Sequence, residues 1–557
     1  MTSGRGGDGQ RRAAQLVVAC LEAEGVTAVF GIPGEETLDL SEALDESATI
    51  RFVPVRHEQG GAYIADVIGR LTGRAGVALG TLGPGATNLV TAVADATLDR
   101  APLVVLTGQA DLERMHKESH QYVDVVSVMR PVTKWNARVA DPAIVPEAVR
   151  KAFAVAEQEK PGATHLELPE DVMAAPVPSD LRPMARRAPV RPEPADRELV
   201  RAAELLRQGQ RVVALAGNGV VRAGAAPALR EFCRATGIPA AETFMGKGLV
   251  PADAPYALGA TGLQAGDYAM AGFTEADVVV AIGYDLVEQA PRQWNPQADK
   301  TIVCIDSVPA EIDRCFEPAV ELVGDIYHIL VRLAEECRGQ VRAGGSPALR
   351  DGTAALLAAA ADDDRFPMHP ARVLGEIRAL LGPEDVMVSD VGLHKLWIGR
   401  TWPAFEPATT LIANGLAGMG FAVPAAIATK LVRPDAAVVA VSGDGGFLMN
   451  VQELETARRL GTAFVNVVWE NREFGSIRWK QDRRFGRHFG VGFTNPDFVR
   501  LAEAFGMAAW RVERPEELGS RLRQALAAPV PSLLVVPVDY SVDVAVVEGL
   551  GVTTTAT

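Results

Sequence analysis

Cysteine is scarce and unpatterned in this chain. The five cysteines, Cys20, Cys233, Cys304, Cys315 and Cys337, are odd in number, and no two stand at metal-ligand spacing. That excludes a disulfide framework and a thiolate metal site, and it predicts a reduced, cytoplasmic setting. Long apolar runs are missing too. No stretch reaches the ~20 residues of a membrane span without a charge, glycine or proline inside it, so no membrane partner is expected. Residues 1–12 are Gly-rich and polar and lack the apolar stretch of a signal peptide. Basic excess is absent: 55 Lys and Arg face 70 Asp and Glu, a net charge of −15. A nucleic-acid partner would want the opposite sign. What remains is a folded globular composition, 48% hydrophobic and 22% charged. At 557 residues the chain is too long for one core, and about two to four domains are expected.

Short apolar strands alternate with helical patterns throughout, which predicts an α/β fold of mostly parallel sheets flanked by helices. Two stretches break the alternation. The first, 176–196, carries Pro176, Pro178, Pro183, Pro189, Pro192 and Pro194. Each proline removes a backbone donor and fixes φ, so the stretch reads as a linker. The second, about 338–370, holds Gly344-Gly345-Ser346-Pro347 and Asp362-Asp363-Asp364, with a helix expected at 354–361. Three domains follow, roughly 10–180, 190–340 and 365–545. The ends, including residues 552–557, are expected to fray.

Two regions carry chemistry. Arg51-Phe52-Val53-Pro54-Val55 reads as a strand and 61–71 as a helix, with Arg56-His57-Glu58-Gln59-Gly60 between them. Alone, Glu58 would be a surface acid favoured by a helix start. A βαβ unit follows: a strand at 76–80, the turn Thr81-Leu82-Gly83-Pro84-Gly85, a helix from Ala86, and a strand at 103–107. Ligands bind α/β sheets at such turns, although one Gly-Pro-Gly can serve packing alone. The second region begins with the strand 437–441, which runs into Ser442-Gly443-Asp444-Gly445-Gly446 and a helix at about 450–460. A Gly-rich turn opening a helix suits phosphate, and its Asp can ligate Mg²⁺. The next strand, 463–469, ends in Glu470-Asn471-Arg472-Glu473-Phe474-Gly475. Parallel pairing of these two strands would set Asn471 beside Asp444. Singly, an Asp-Gly turn and a capping Asn are common. In the middle region, Gly217-Asn218-Gly219 after a strand at 212–216 lacks the third glycine of a dinucleotide fingerprint.

Together these motifs resemble the thiamine-diphosphate enzyme family. Gly443-Asp444-Gly445 followed by Asn471 is similar to its diphosphate–metal motif. Arg56-His57-Glu58-Gln59-Gly60 is similar to its activating-glutamate motif, and Gly83-Pro84-Gly85-Ala86-Thr87-Asn88 to the loop of its acetolactate synthase branch. The resemblance covers nearly the whole chain and implies a pyrimidine-binding domain, a central domain and a diphosphate-binding domain. It implies thiamine diphosphate and Mg²⁺ as cofactors and a small 2-keto acid as substrate. Asp444, Asn471 and the Glu473 carbonyl would hold Mg²⁺. Gly392, Leu393, His394, Gly443, Gly445 and Gly446 would hold the diphosphate, with Phe474 nearby. Gly34, Pro84 and Asn88 would flank the pyrimidine. Met419, after Gly418, would lie under the bent cofactor, although ordinary core packing also suits a methionine. Glu58 would hydrogen-bond the pyrimidine ring and share its proton, and Gln121 with His120 would face the reacting centre. The resemblance also implies a homodimer or homotetramer, with the glutamate of one chain meeting the diphosphate domain of another.

Within the branch, three features lean toward the catabolic, flavin-independent acetolactate synthases. They are His120 before Gln121, the segment Tyr284-Asp285-Leu286-Val287-Glu288 with Pro291-Arg292-Gln293-Trp294-Asn295, and Lys480 where the biosynthetic type places a tryptophan. Two pyruvates joined to 2-acetolactate with loss of CO₂ is the expected reaction. A flavin-containing acetohydroxyacid synthase large subunit is the alternative, as is a divergent 2-keto acid decarboxylase or carboligase. FAD is the less favoured cofactor, because the middle region reads as a fold that no longer binds it. Glu35 and Glu36, Glu470, Arg472 and Arg478 are atypical of both types.

Overall fold

Apolar runs such as Gly76–Gly80 and Val212–Ala216 are buried along their whole length, as strands covered on both faces must be. The computed structural model describes residues 11–187, 190–262, 269–342 and 348–542. Pro189, the residues Gly344-Gly345-Ser346-Pro347 and residues 552–557 lie outside them. The described residues form two compact units that divide between 189 and 190.

The first unit holds one six-stranded sheet. Its members are β1 (Ala28–Gly31), β2 (Arg51–Pro54), β3 (Gly76–Gly80), β4 (Leu103–Gln109), β5 (Trp135–Arg138) and β6 (Ala163–Pro169), in the order 2-1-3-4-6-5. The second unit holds two more six-stranded sheets. The middle one comprises β7 (Val212–Ala216), β8 (Ala240–Thr243), β9 (Ala257–Thr261), β10 (Val278–Ile282), β11 (Thr301–Asp306) and β12 (Pro318–Val323), in the order 12-11-10-7-8-9. The last comprises β13 (Val386–Ser389), β14 (Thr410–Ile412), β15 (Val438–Gly443), β16 (Val465–Glu470), β17 (Ala508–Arg511) and β18 (Ser532–Pro537), in the order 14-13-15-16-18-17. All the strand pairs are parallel.

The first and last sheets share one topology, and the middle sheet has the doubly wound dinucleotide order. In open parallel sheets a ligand crevice forms at the carboxyl ends of the two strands where the order reverses. Those pairs are β1 and β3, β7 and β10, and β13 and β15. The topology therefore singles out the turns after residues 31, 80, 216, 282, 389 and 443.

Several boundaries differ from expectation. The helix expected at 61–71 is Glu58–Thr72, so Glu58 is its first residue. The helix expected from Ala86 begins at Pro84, which fits because a first-turn residue needs no N–H. The helix expected at 450–460 is Glu453–Leu460, preceded by a separate short helix at Asp444–Phe447, and the one expected at 354–361 spans Ala348–Ala359. None of the five cysteines is in a disulfide, and all five are buried. Among the described residues no helix is long and apolar enough to cross a membrane.

Candidate active site

In the first unit the crevice between β1 and β3 is lined by glycines and one acid. His57 caps the helix Glu58–Thr72 by accepting the Gln59 N–H at Nδ1, 3.2 Å. Glu58 is thereby held in the first turn, 5% exposed. Its Oε2 accepts from Asn88 Nδ2 at 2.9 Å. A Cβ at Gly85 would lie 3.3 Å from Oε1 and 2.9 Å from Thr81 Cγ2. Gly34 backs onto Thr81 as well, where a Cβ would lie 2.4 Å from the Thr81 Cβ. Two helices carry Glu58 and Asn88, and Arg70 locks them together. Its guanidinium reaches Asp66 at 2.7 Å on its own helix and Asp95 at 3.1 Å on the helix Pro84–Leu98, and Asp99, just beyond that helix, at 3.0 Å. All four side chains are buried.

The Gly83–Pro84 turn touches the loop that carries His120 and Gln121. Gly83 has φ +52°, and a Cβ there would lie 2.5 Å from the Gln121 carbonyl oxygen. Gln121 is itself left-handed, at φ +57°, a strained conformation for a side chain of this kind. Below it, Gln109 at the end of β4 donates to the Val123 carbonyl at 3.0 Å and to Glu167 at 2.8 Å. The structure thus brings Gly34, Glu58, Pro84, Asn88 and Gln121 around one crevice, with His120 exposed on the same turn. The atypical Glu36 is buried and accepts from Thr81 Oγ1 at 3.0 Å, whereas Glu35 is exposed.

In the second unit the crevice between β13 and β15 gathers the other predicted residues. Asp444, 1% exposed, opens the short helix after β15. Its Oδ2 accepts three hydrogen bonds, from Asn471 N at 3.1 Å, Arg472 N at 2.6 Å and Asn495 Nδ2 at 2.9 Å. Oδ1 accepts one, from Gly445 N at 2.9 Å. Burial raises this carboxyl above its ordinary range, and the converging N–H groups oppose the shift. Asn471 stands beside Asp444 because β16 pairs in register with β15. The Glu473 carbonyl accepts from Gly475 N at 2.9 Å, while its side chain holds Arg478 at 2.7 Å. Phe474 covers Gly445, where a Cβ would lie 2.9 Å from its ring, and stacks edge-on against Phe493.

His394 joins the two turns of this crevice. A Cβ at Gly392 would lie 2.7 Å from its ring, and one at Gly443 would lie 3.3 Å from it. Leu393 beside it is buried and backs onto Gly475. Burial pushes the His394 imidazole down to about 3, so it is neutral. Its Nε2 is buried and has no protein partner. Glycine turns opening a helix suit a diphosphate through their backbone N–H groups. Asp444 Oδ1 with the Asn471 amide and the Glu473 carbonyl is an all-oxygen donor set suited to Mg²⁺. The donors present therefore fit both groups. Met419 is half-buried in the Gly418–Gly420 turn.

Four residues escaped the sequence reading. Asp390 and Asn450 hold the Met419 turn. Asn495 bridges Asp444 and Glu470, and Arg511 pairs with Glu470. That pairing accounts for the acid at 470: it is buried in an ion pair next to Asn471. The only foreshadowing was an Asp at the end of an apolar strand, Val386–Ser389.

The middle crevice is filled. A Cβ at Gly217 would lie 2.5 Å from the Gly283 carbonyl, and one at Gly219 would lie 2.6 Å from the Gly283 Cα. The Glu288 carboxylate takes the Asn218 N–H at 3.1 Å, the position a dinucleotide pyrophosphate would need, and also accepts from Thr243 Oγ1. The nearby segment of Tyr284 and Trp294 packs with Phe273 and Phe316 into a buried aromatic cluster. These residues do not fit a flavin dinucleotide at the glycine turn.

Three domain profiles match the chain in order. The thiamine pyrophosphate enzyme N-terminal TPP binding domain matches residues 11–128, the central domain 199–333 and the C-terminal TPP binding domain 390–536. The fold and paired crevices are those of a thiamine pyrophosphate enzyme. The chain is 36% identical to an acetolactate synthase of Bacillus subtilis (strain 168), over 96% of its own length and 94% of that protein's. It is 35% identical to a catabolic acetolactate synthase of Raoultella terrigena, over 95% of each. It is also 33% identical to the large subunit of acetolactate synthase isozyme 2 of Escherichia coli (strain K12), over 94% and 95%. The chain therefore belongs to the acetolactate synthase family of thiamine pyrophosphate enzymes.

Proposed function

We propose that this protein is a Mg²⁺-dependent, flavin-free acetolactate synthase that joins two pyruvates and releases CO₂. The observation that carries the reading is the near full-length likeness to acetolactate synthases, combined with a buried Glu58 held by Asn88. The filled middle crevice, with Glu288 on the Asn218 N–H, supports the flavin-free form over the flavin-containing alternative.

When bound, thiamine diphosphate supplies the electron sink that decarboxylation of a 2-keto acid requires. Each protein group then has one task. Glu58 holds or releases a proton at the pyrimidine ring, and Asn88, by occupying Oε2, leaves Oε1 for that purpose. Asp444, Asn471 and the Glu473 carbonyl hold the metal. Gly392, Leu393, His394, Gly443, Gly445 and Gly446 seat the diphosphate, with Phe474 as cover. Met419 supports the rings from the Gly418–Gly420 turn, and Gly34 and Pro84 flank the pyrimidine. Gln121, with His120 on the same exposed turn, meets the keto acid. Glu58 and Asp444 belong to different units, and we propose that a second copy of the chain completes each site, making the protein a homodimer or homotetramer.

The test is incubation of the full chain with pyruvate, thiamine diphosphate and Mg²⁺, without flavin, with mass detection of products. Acetolactate and CO₂ in equal amounts are expected. Acetaldehyde as the main product would instead make the protein a decarboxylase. Stoichiometric flavin in the purified protein would move it to the flavin-containing type.

A further inference from the structure

Asp390 follows β13 at the crevice, and its carboxylate is only 1% exposed. It faces backbone N–H groups. Oδ1 accepts from Val391 N at 2.7 Å and from Gly420 N at 3.0 Å, and Oδ2 accepts from Ala422 N at 3.4 Å. The Phe421 N–H adds a further bond. Phe421 and Ala422 begin the helix Ala422–Val432, whose dipole favours an anion there.

Three separate turns thus meet one carboxylate. The first is its own, which carries Gly392 and His394, and the His394 ring is hydrogen-bonded to the Asp390 backbone. The second is the Gly418–Gly420 turn. The third is the turn after β15, where a Cβ at Gly446 would lie 3.2 Å from the Asp390 carboxyl carbon. The second turn is also gripped from its other side: Asn450 Nδ2 donates to the Gly420 carbonyl at 2.9 Å, and Gln452 steadies Asn450 at 3.1 Å. Gly420 itself has φ +88°, and a Cβ there would lie 2.9 Å from Asn450 Nδ2.

We infer that Asp390 is a positioning residue that locks the Gly392, Met419 and Gly446 turns into one preformed cradle, with Asn450 as its counter-clamp. The inference rests on the reading of these turns as the cofactor half-site. Rigid turns need no ordering on binding, and the entropy that ordering would cost is thereby saved. A carboxylate serves better than an amide because every group it meets is a donor. In Asp390→Asn one side of the amide must face an N–H with another N–H.

The experiment compares the full-length parent with Asp390→Asn and Asn450→Ala by amide hydrogen exchange without cofactor, and by calorimetric binding of thiamine diphosphate with Mg²⁺. Asp390→Asn should exchange faster at 391–394 and 418–422 while strands β15 and β16 keep parental protection. Its cofactor affinity should fall about tenfold or more, the loss of one hydrogen bond to an ionised group. Asn450→Ala should give the same pattern, smaller, and it decides the matter if Asp390→Asn does not fold. Parental exchange at 418–422 with parental affinity would overturn the proposal. So would an even loss of protection across the whole sheet, which marks a merely structural residue. Neither readout uses turnover, so failure of the pyruvate reaction would leave both intact. A parent that binds no thiamine diphosphate would reject the cofactor reading, and the exchange pattern would still test the lock.

Discussion

Replacing Asp444 by its amide isostere should abolish metal binding as fully as replacing it by alanine, yet cost far less stability. The two oxygens are not equivalent. Oδ2 accepts three N–H groups at 2.6–3.1 Å and is saturated, whereas Oδ1 accepts only Gly445 N. Oδ1 is therefore the oxygen with room to face a metal. Asparagine has one oxygen to offer. Placed at Oδ1, it would turn its NH₂ onto three donors, at about 1–3 kcal/mol for each acceptor lost. Placed at Oδ2, it keeps those three bonds and sets one NH₂ against Gly445 N, a single conflict of about 1–3 kcal/mol. The second arrangement wins, and it presents N–H groups where Mg²⁺ needs oxygen. Alanine instead orphans all four donors and should be less stable than asparagine by several kcal/mol, roughly three further lost acceptors. Mn²⁺ titration followed by electron paramagnetic resonance, beside denaturant unfolding, separates the two effects. Metal affinity should fall in both variants by more than the roughly 10–100-fold that outer partners alone cost. An Asp444→Asn protein that keeps parental metal affinity would refute the reasoning.

Glu58→Gln should keep its bond to Asn88 and its fold while pyruvate-dependent CO₂ release drops by roughly 10²–10⁴-fold; largely parental turnover would remove Glu58 from the chemistry. Arg70→Met leaves Asp66, Asp95 and Asp99 buried without their cation and should cost about 3–5 kcal/mol in urea unfolding. A loss within error would show that those acids are neutral. Burial pushes the Glu288 carboxyl up to about 7, so the folded state holds its proton where the unfolded chain has released it. Its contribution is full below the ordinary carboxyl range, near pH 4.3 by peptide values, and is lost as pH rises through about 7. Glu288→Gln should therefore gain stability relative to the parent between pH 5 and pH 8, about 1 kcal/mol or more, and a gap that does not change with pH would contradict the assignment.

Much of the fold was legible because the central strands, such as Val212–Ala216 and Val278–Ile282, are short apolar runs. The helix around Glu58 was harder. It was expected only from Gly61, with 56–60 lying between strand and helix, yet it starts at Glu58 and carries Gly60, Gly61 and Gly69. In the fold these glycines serve close packing: a Cβ at Gly61 would lie 3.1 Å from Val55, and one at Gly69 would lie 2.2 Å from the Pro102 carbonyl. Tertiary contact overrides the low helix propensity of glycine. The motif residues themselves were readable, because a glycine turn with an acid at a strand end has few other uses. Their supports were not. Asp390 reaches Gly420 across 30 positions, Asn495 reaches Asp444 across 51 and Arg511 reaches Glu470 across 41, and no local pattern encodes such pairs.

The topology gives each of the three sheets a crevice, and the residues set into the crevices differ. The first and last sheets share the order 2-1-3-4-6-5, and each opens a crevice between its first and third strands. Glycine turns line both, at Gly31–Gly34 and Gly80–Gly85 in one and at Gly392 and Gly443–Gly446 in the other. Into each a buried acid is set at the first turn of a helix, Glu58 or Asp444. The two acids have different partners. Glu58 has one side-chain donor on one oxygen, Asn88 Nδ2 on Oε2. Asp444 has four donors, which hold the anion and leave one lone pair for a cation. The middle sheet has the order most suited to a dinucleotide, yet Gly283 closes its crevice from one strand and the Glu288 carboxyl supplies an acceptor from within the chain. A carboxyl that already accepts the Asn218 N–H leaves that group unavailable to a pyrophosphate.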